Sequence, residues 1–215
     1  MFYLRRPCPR VLQALFVLLL SAPCLAGRPL SVDDANVDAV GSGHVETWYA
    51  HQGGPSHDWT VAPAYGLAEG VELDAALSRA DGAQPRSSVQ AKFRLTESLP
   101  AGCNLAGVIG LGHSDEGNSP YLNGIVTCNL SEAAVHLNLG AIQPSGKTLL
   151  QTWGVAYEHE FAALTGHVEY FGQQQDKPTL QVGLRSDIVK NIQLDGTLGR
   201  SGGDTVYSLG MKFMF

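Results

Sequence analysis

The sequence predicts an all-β protein, an antiparallel transmembrane β-barrel of about twelve strands with both termini on the periplasmic side. Three observations carry this. The last twelve residues, Asp204 to Phe215, alternate at period two: Thr205, Tyr207, Leu209, Met211, Phe213 and Phe215 share one face, and Val206, Ser208, Gly210, Lys212 and Met214 the other. So apolar a chain end, closing on an aromatic residue, suits a last strand with one face to lipid and one to a lumen; termini in water are usually polar and loose. The chain between Gly43 and Phe215 also divides into strand-length segments at turn residues, without a helical stripe. Finally, the turns form two alternating sets, one polar and mostly proline-containing and the other shorter or less polar, as the outer loops and periplasmic turns of such barrels do.

In chain order, the first element is an export signal. Arg5, Arg6 and Arg10 form a basic region, Val11 to Leu20 an apolar one, and Ser21 to Ala26 leads to a cut after Ala26. The apolar run falls far short of the roughly 20 residues of a spanning helix. Cys24 follows Pro23, where a lipidated cysteine would call for a small residue, so the expectation is simple cleavage and release to the periplasm. Residues 27–42, with Asp33, Asp34 and Asp38, form either a loose periplasmic tail or a segment folded into the lumen. The sequence leaves both open.

Residues 43–215 are expected to form the outer-membrane barrel, with strands over 43–50, 59–66, 70–79, 87–96, 102–112, 120–129, 133–142, 149–159, 161–172, 178–187, 190–199 and 204–215. The outer loops are 51–58, 81–86, 113–120, 143–147, 173–178 and 200–204; the inner turns lie at 66–70, around Leu99 to Ala101, at Leu130 to Glu132, at Glu160–Phe161 and at Ile188–Val189. Alternation sets Val71, Leu73, Val89, Phe93, Leu137, Leu139, Val182 and Leu194 outward. It leaves 102–112 and 120–129 ambiguous. Outward aromatics gather near strand ends, Tyr49, Trp59, Tyr170 and Tyr207 towards the loops and Tyr65, Tyr157, Phe213 and Phe215 towards the turns, as in interfacial girdles.

The opposite face carries charges too numerous for a dry core. Inward positions are Glu46, Glu72, Asp74, Glu158, Glu169, Asp195 and His167, with Lys92, Arg94, Arg185 and Lys212. They are expected to form a hydrogen-bonded network that braces the lumen and sets the preference of any path through it. Symmetric pairing about loop 113–120 sets Cys103 opposite Cys128 at the oxidising periplasmic end, a disulfide candidate. A one-residue slip would separate the two.

Beyond Ala26 the chain has 11 basic and 20 acidic residues, a formal charge of -9, which argues against nucleic acid. The glycine-rich piece 107–112 sits in a strand pattern with no helix after it, so no phosphate cradle and no cofactor is implied. His44, His51 and His57 cluster around the first loop at spacings that fit no familiar ligand set, and no metal is assigned. His113, Ser114 and Asn118 invite comparison with outer-membrane phospholipases, but a nucleophile needs its base within hydrogen-bond reach, and adjacent residues of a strand point apart. A polar loop tip is the plainer reading, and the chain is not expected to be an enzyme.

Gly27-Arg28-Pro29-Leu30 with Asp33-Asp34, then Trp153-Gly154, Tyr157-Glu158, Glu169-Tyr170-Phe171-Gly172, Val182-Gly183-Leu184-Arg185, Leu194-Asp195, Gly199-Arg200, Gly210 and Phe215 resemble a family of outer-membrane barrels named for the MetA pathway of phenol degradation. The resemblance is clearest over residues 149–215. It implies a barrel in the outer membrane of a Gram-negative bacterium and a role in transport, with small hydrophobic or aromatic compounds as a hint; this chain lacks the family's long outer loops. The expected function is a channel or transporter for small solutes. The alternatives are a non-conducting structural or interaction barrel and, third, a lipid hydrolase. Expected partners are outer-membrane lipid and the barrel assembly machinery, which would read the strand ending at Phe215.

Overall fold

A computed structural model describes residues 30–53 and 57–215; the export signal and the cut after Ala26 lie outside these. The described residues form a closed antiparallel barrel of twelve strands in sequence order and no helix. The strands are β1 (Gly43–His51), β2 (His57–Ala68), β3 (Val71–Ala80), β4 (Arg86–Arg94), β5 (Gly102–Ser114), β6 (Gly117–Asn129), β7 (Ala133–Ile142), β8 (Leu150–Phe161), β9 (Leu164–Gln173), β10 (Thr179–Val189), β11 (Ile192–Ser201) and β12 (Asp204–Met214). β1 closes on β12 from His44 opposite Met214 to His51 opposite Tyr207. The C-terminal residue extends this seam: the Gly43 amide donates to the Phe215 carbonyl at 2.9 Å and the Phe215 amide to the Gly43 carbonyl at 2.8 Å. Closure leaves no sheet edge, which a barrel in hydrocarbon requires.

Two inner turns lie beyond their expected places. β8 continues through Phe161, so its turn is Ala162–Ala163, and β10 continues through Val189, so its turn is Lys190–Asn191. Asn191 has φ 68°, a left-handed conformation that asparagine tolerates well; Phe161 and Val189 stay on the ladder, and Ile188 sits at an irregularity between Asp187 and Val189.

Alternation sorts the side chains. Leu73, Leu77, Val89, Ile109, Leu122, Leu139, Val182, Leu198 and Leu209 are exposed on the outside, while Glu46, Glu72, Lys92, Glu158, His167, Glu169, Arg185 and Lys212 are buried inside. β5 and β6, ambiguous in sequence, resolve here. Leu105, Ile109 and Leu122 face out; Ala106, Val108 and Ile125 face in and are buried with Ala35, which precedes the barrel. Both faces read apolar because each meets apolar matter, lipid outside and a protein segment inside.

That inner segment is residues 30–42, which enter the lumen instead of hanging free. Leu30, Val32, Asp34 and Ala35 are buried, and the segment leaves the barrel at an exposed turn, where Val40 is 60% exposed, before β1 begins. It needs Gly66: a Cβ there would stand 2.1 Å from the Ala39 carbonyl oxygen, so only a glycine on β2 lets the segment's main chain pass.

Candidate solute passage and its strap

The lumen is filled at the turn end of β6 to β10 and holds an open cavity elsewhere, and the segment before β1, here called the strap, lies between the two. A segment that lies inside a barrel outside the ladder has no strand partner, so its amides must find side chains. Glu169, fully buried, accepts the Ser31 amide at 2.7 Å and 3.0 Å through its two oxygens and the Val32 amide at 3.3 Å. Asn138 takes both main-chain groups of Asp33, accepting its N–H at 2.9 Å and donating to its carbonyl at 2.8 Å. Thr127 Oγ1 accepts the Ala35 amide at 2.8 Å, and Glu72 accepts that of Asp38. Val32 lies over Gly154 and beside Phe171, while Ala35 fits among Ala106, Val108 and Ile125.

On the strap's filled side a chain of hydrogen bonds runs to the far wall. Thr127 Oγ1 meets His136 Nδ1 at 2.9 Å, His136 Nε2 meets Glu158 Oε2 at 3.4 Å, and the Arg185 guanidinium grips both Glu158 oxygens, one at 3.0 Å. His167 is buried beside this group, packed against Gly183, with neither ring nitrogen hydrogen-bonded among the described residues. Glu158, His167 and Arg185 thus lie together, while Glu169 turns to the strap and Gln181.

The open side is a cavity of about 1070 Å³ that reaches both rims of the barrel. At the loop rim it touches Gln52, Lys177 and Asp204, and at the turn rim His44 and Met214. Its wall is formed at the turn end by β12 and β1 to β4, and at the loop end by residues of β6 to β11 as well. Trp48, Tyr121 and Phe171 supply aromatic surface. Eight carboxylates line it against three lysines, Lys92, Lys177 and Lys212. Lys92 Nζ pairs with Asp33 on the strap at 2.9 Å, and Lys212 Nζ lies 3.6 Å from Glu46. Asp74 accepts from Gln90 at 3.0 Å, and Gln90 in turn accepts from the Tyr121 hydroxyl at 2.8 Å.

The strap's own carboxyls are tuned in opposite directions. Burial pushes the Asp34 carboxyl above the usual carboxylate range, against the pull of Lys92. Burial also works to raise that of Asp38. The hydrogen bond from His44, 2.8 Å away, and nearby positive charge outweigh it and hold Asp38 below that range.

The remaining sequence candidates separate from these. Arg94 ends β4 at the turn rim, where its guanidinium pairs with Glu69 in the β2–β3 turn. Asp195 lies against Gly210, where a Cβ would stand 2.5 Å from its carboxylate oxygen. Cys103 and Cys128 are opposed on β5 and β6 and joined by a disulfide. The three clustered histidines part company. His44 turns into the lumen, while His51 and His57 pack at the loop rim, ring centres 4.9 Å apart, with Tyr207. His113 Nδ1 bonds Asn118 at 2.8 Å, whereas Ser114 Oγ accepts the Glu116 amide, so no serine–histidine pair exists among the described residues. Sequence reasoning missed Asn138 and Thr127 as strap holders; Asn138 did carry the signal of an amide on an inward position, whereas Thr127 lay in an ambiguous strand.

The fold is that of outer-membrane porins. A KdgM porin solved in complex with disordered oligogalacturonate superposes with a TM-score of 0.72 at 15% identity, covering 80% of this chain and 99% of that one. A NanC porin gives 0.63 at 10% identity, over 80% and 98%. An outer-membrane channel from Pseudomonas putida F1 gives 0.64 at 13% identity, over 86% and 100%. No curated protein matches the sequence. Residues 14–205 match the model of the family described as Uncharacterised conserved protein UCP029691, a description that carries no phenol-pathway naming.

Proposed function

This chain belongs to that family, and from its porin-like barrel we propose that it is an outer-membrane channel for small solutes, with the passage running from the loop mouth past the strap to the wall of β12 and β1 to β4 at the turn end. The observation that carries the reading is the cavity reaching from rim to rim, whose carboxylates outnumber its lysines by eight to three. Charged linings set selectivity in confined pores, so the passage favours cations and neutral molecules over anions. The aromatic surface of Trp48, Tyr121 and Phe171 suits small aromatic solutes, in keeping with the resemblance to the phenol-pathway barrels. The exposed outer belt and Phe215 support insertion in the outer membrane by the barrel assembly machinery.

Reconstitution into planar bilayers under a salt gradient tests this. The intact protein is expected to conduct with a cation-selective reversal potential, and Glu46→Gln/Glu72→Gln/Asp74→Asn to move that potential towards zero. Bilayers that stay silent, or a triple variant with unchanged selectivity, would refute the assignment. Silence would favour the second reading, a non-conducting barrel, whose support is the strap and the Arg185–Glu158–His136 network filling the lumen at the turn end of β6 to β10.

A further inference from the structure

We propose that the lumen is a binding cleft for oligopeptides, and that the strap is its resident, tethered ligand. The barrel wall reads the strap chiefly through its main chain. Ser31, Val32, Asp33, Ala35 and Asp38 each donate their amide to a barrel side chain, and Asn138 returns a donor to the Asp33 carbonyl. An amide side chain that pairs with both the N–H and the C=O of one residue matches any peptide residue, whatever its side chain, which is how peptide-recognising sites gain affinity without sequence.

Selectivity comes from three places. Val32 fills the slot over Gly154 and Phe171, Ala35 the slot among Ala106, Val108 and Ile125, and the Asp33 carboxylate meets Lys92. The cleft therefore takes a segment that bends at two small apolar residues three apart, with an acidic residue after the first. Asp33, Asp34 and Asp38 also line the open cavity, so one edge of the bound segment faces the passage along which a competitor would arrive. In the intact chain the tether holds the strap at an effective concentration near the millimolar range, and a free peptide enters only when the strap lifts.

The test places a protease site in the exposed turn of residues 39–41, folds the full-length chain in detergent and then cleaves it, leaving the strap held by contacts alone. A fluorescein-labelled synthetic peptide of residues 27–42 is added and its anisotropy followed. The cleaved protein is expected to take up the peptide while the uncleaved one does not. A peptide N-methylated at Asp33 and Ala35, which removes two donors and leaves every side chain, is expected to compete at least tenfold more weakly. A decapeptide of unrelated sequence that keeps the two small apolar residues and the acid is expected to compete as well.

If the cleaved strap dissociates too slowly, Val32→Ala in the same chain loosens it and leaves the cleft unchanged; if the inserted site prevents folding, the uncut Val32→Ala chain is used with peptide in excess. No uptake in any of these forms, or equal competition by the N-methylated peptide, would overturn the proposal. A barrel that binds the peptide without conducting would leave it standing and sink only the channel assignment.

Discussion

Replacing Gly154 with alanine tests the seat of the strap without touching any of its hydrogen bonds. A Cβ at Gly154 would lie 2.7 Å from Val32 Cγ2 and 3.2 Å from Phe171 Cβ, closer than packed carbons come. Phe171 is held on β9, so Val32 is the side that gives way. Overpacking of this kind costs roughly 1–3 kcal/mol. If it falls on the strap alone, the equilibrium for lifting shifts by roughly 5- to 150-fold, at about 1.4 kcal/mol per factor of ten. Hydrogen exchange reads it directly: the amides of Ser31, Val32, Asp33 and Ala35 are expected to lose protection by that factor, while amides of β8 and β9 keep theirs. Val32→Ala alone removes two methyl-sized groups from a site only 1% exposed and is expected to loosen the strap by roughly 1.6 kcal/mol. In the double variant the new methyl at 154 enters the space that Val32 vacates. The two effects should then fall short of additivity by about 1 kcal/mol or more. Strict additivity, or unchanged protection in Gly154→Ala, would refute the seating of Val32 over this glycine.

Two further outcomes follow from the buried charges. Arg185→Ala leaves Glu158 buried without its principal cation and is expected to lower barrel stability by about 3–5 kcal/mol; heat-dependent gel mobility should show unfolding at a clearly lower temperature, and Arg185→Ala/Glu158→Ala should recover part of the loss. The strap carboxyls predict pH dependence of opposite sign. Asp34, whose folded value is raised, stabilises the seat below the unfolded carboxylate range, and that contribution is lost as pH rises through the folded value. Asp38, whose value is lowered, stabilises the seat above the unfolded range and loses this as pH falls through the folded value. Asp34→Asn is therefore expected to increase strap protection at neutral pH, and Asp38→Asn to reduce it there and flatten its acid limb. Exchange measured at several pH values, corrected for intrinsic rates, checks both.

What the sequence alone determined is the barrel. Period-two alternation, turn residues and the spacing between them are local properties. They place twelve strands within a few residues and send Leu73, Val89 and Leu194 out and Glu72, Lys92 and Glu158 in. The pairing of Cys103 with Cys128 was legible for the same reason, since a hairpin fixes register over a short loop. What only the tertiary structure decided is the interior. Residues 30–42 carry no alternation and no ladder partner, and their amides find Glu169 and Asn138 at separations of 138 and 105 residues, which no window along the chain can join. The same contact made β5 and β6 ambiguous, because Ala106, Val108 and Ile125 are apolar towards the strap while their neighbours are apolar towards lipid. Arg94 shows the converse limit: alternation gives the face of a residue, but at the end of a strand the side chain reaches whatever partner the rim supplies, here Glu69. Strand pattern is set by the medium on each side of a wall, whereas the path through the lumen is set by which distant groups meet inside it.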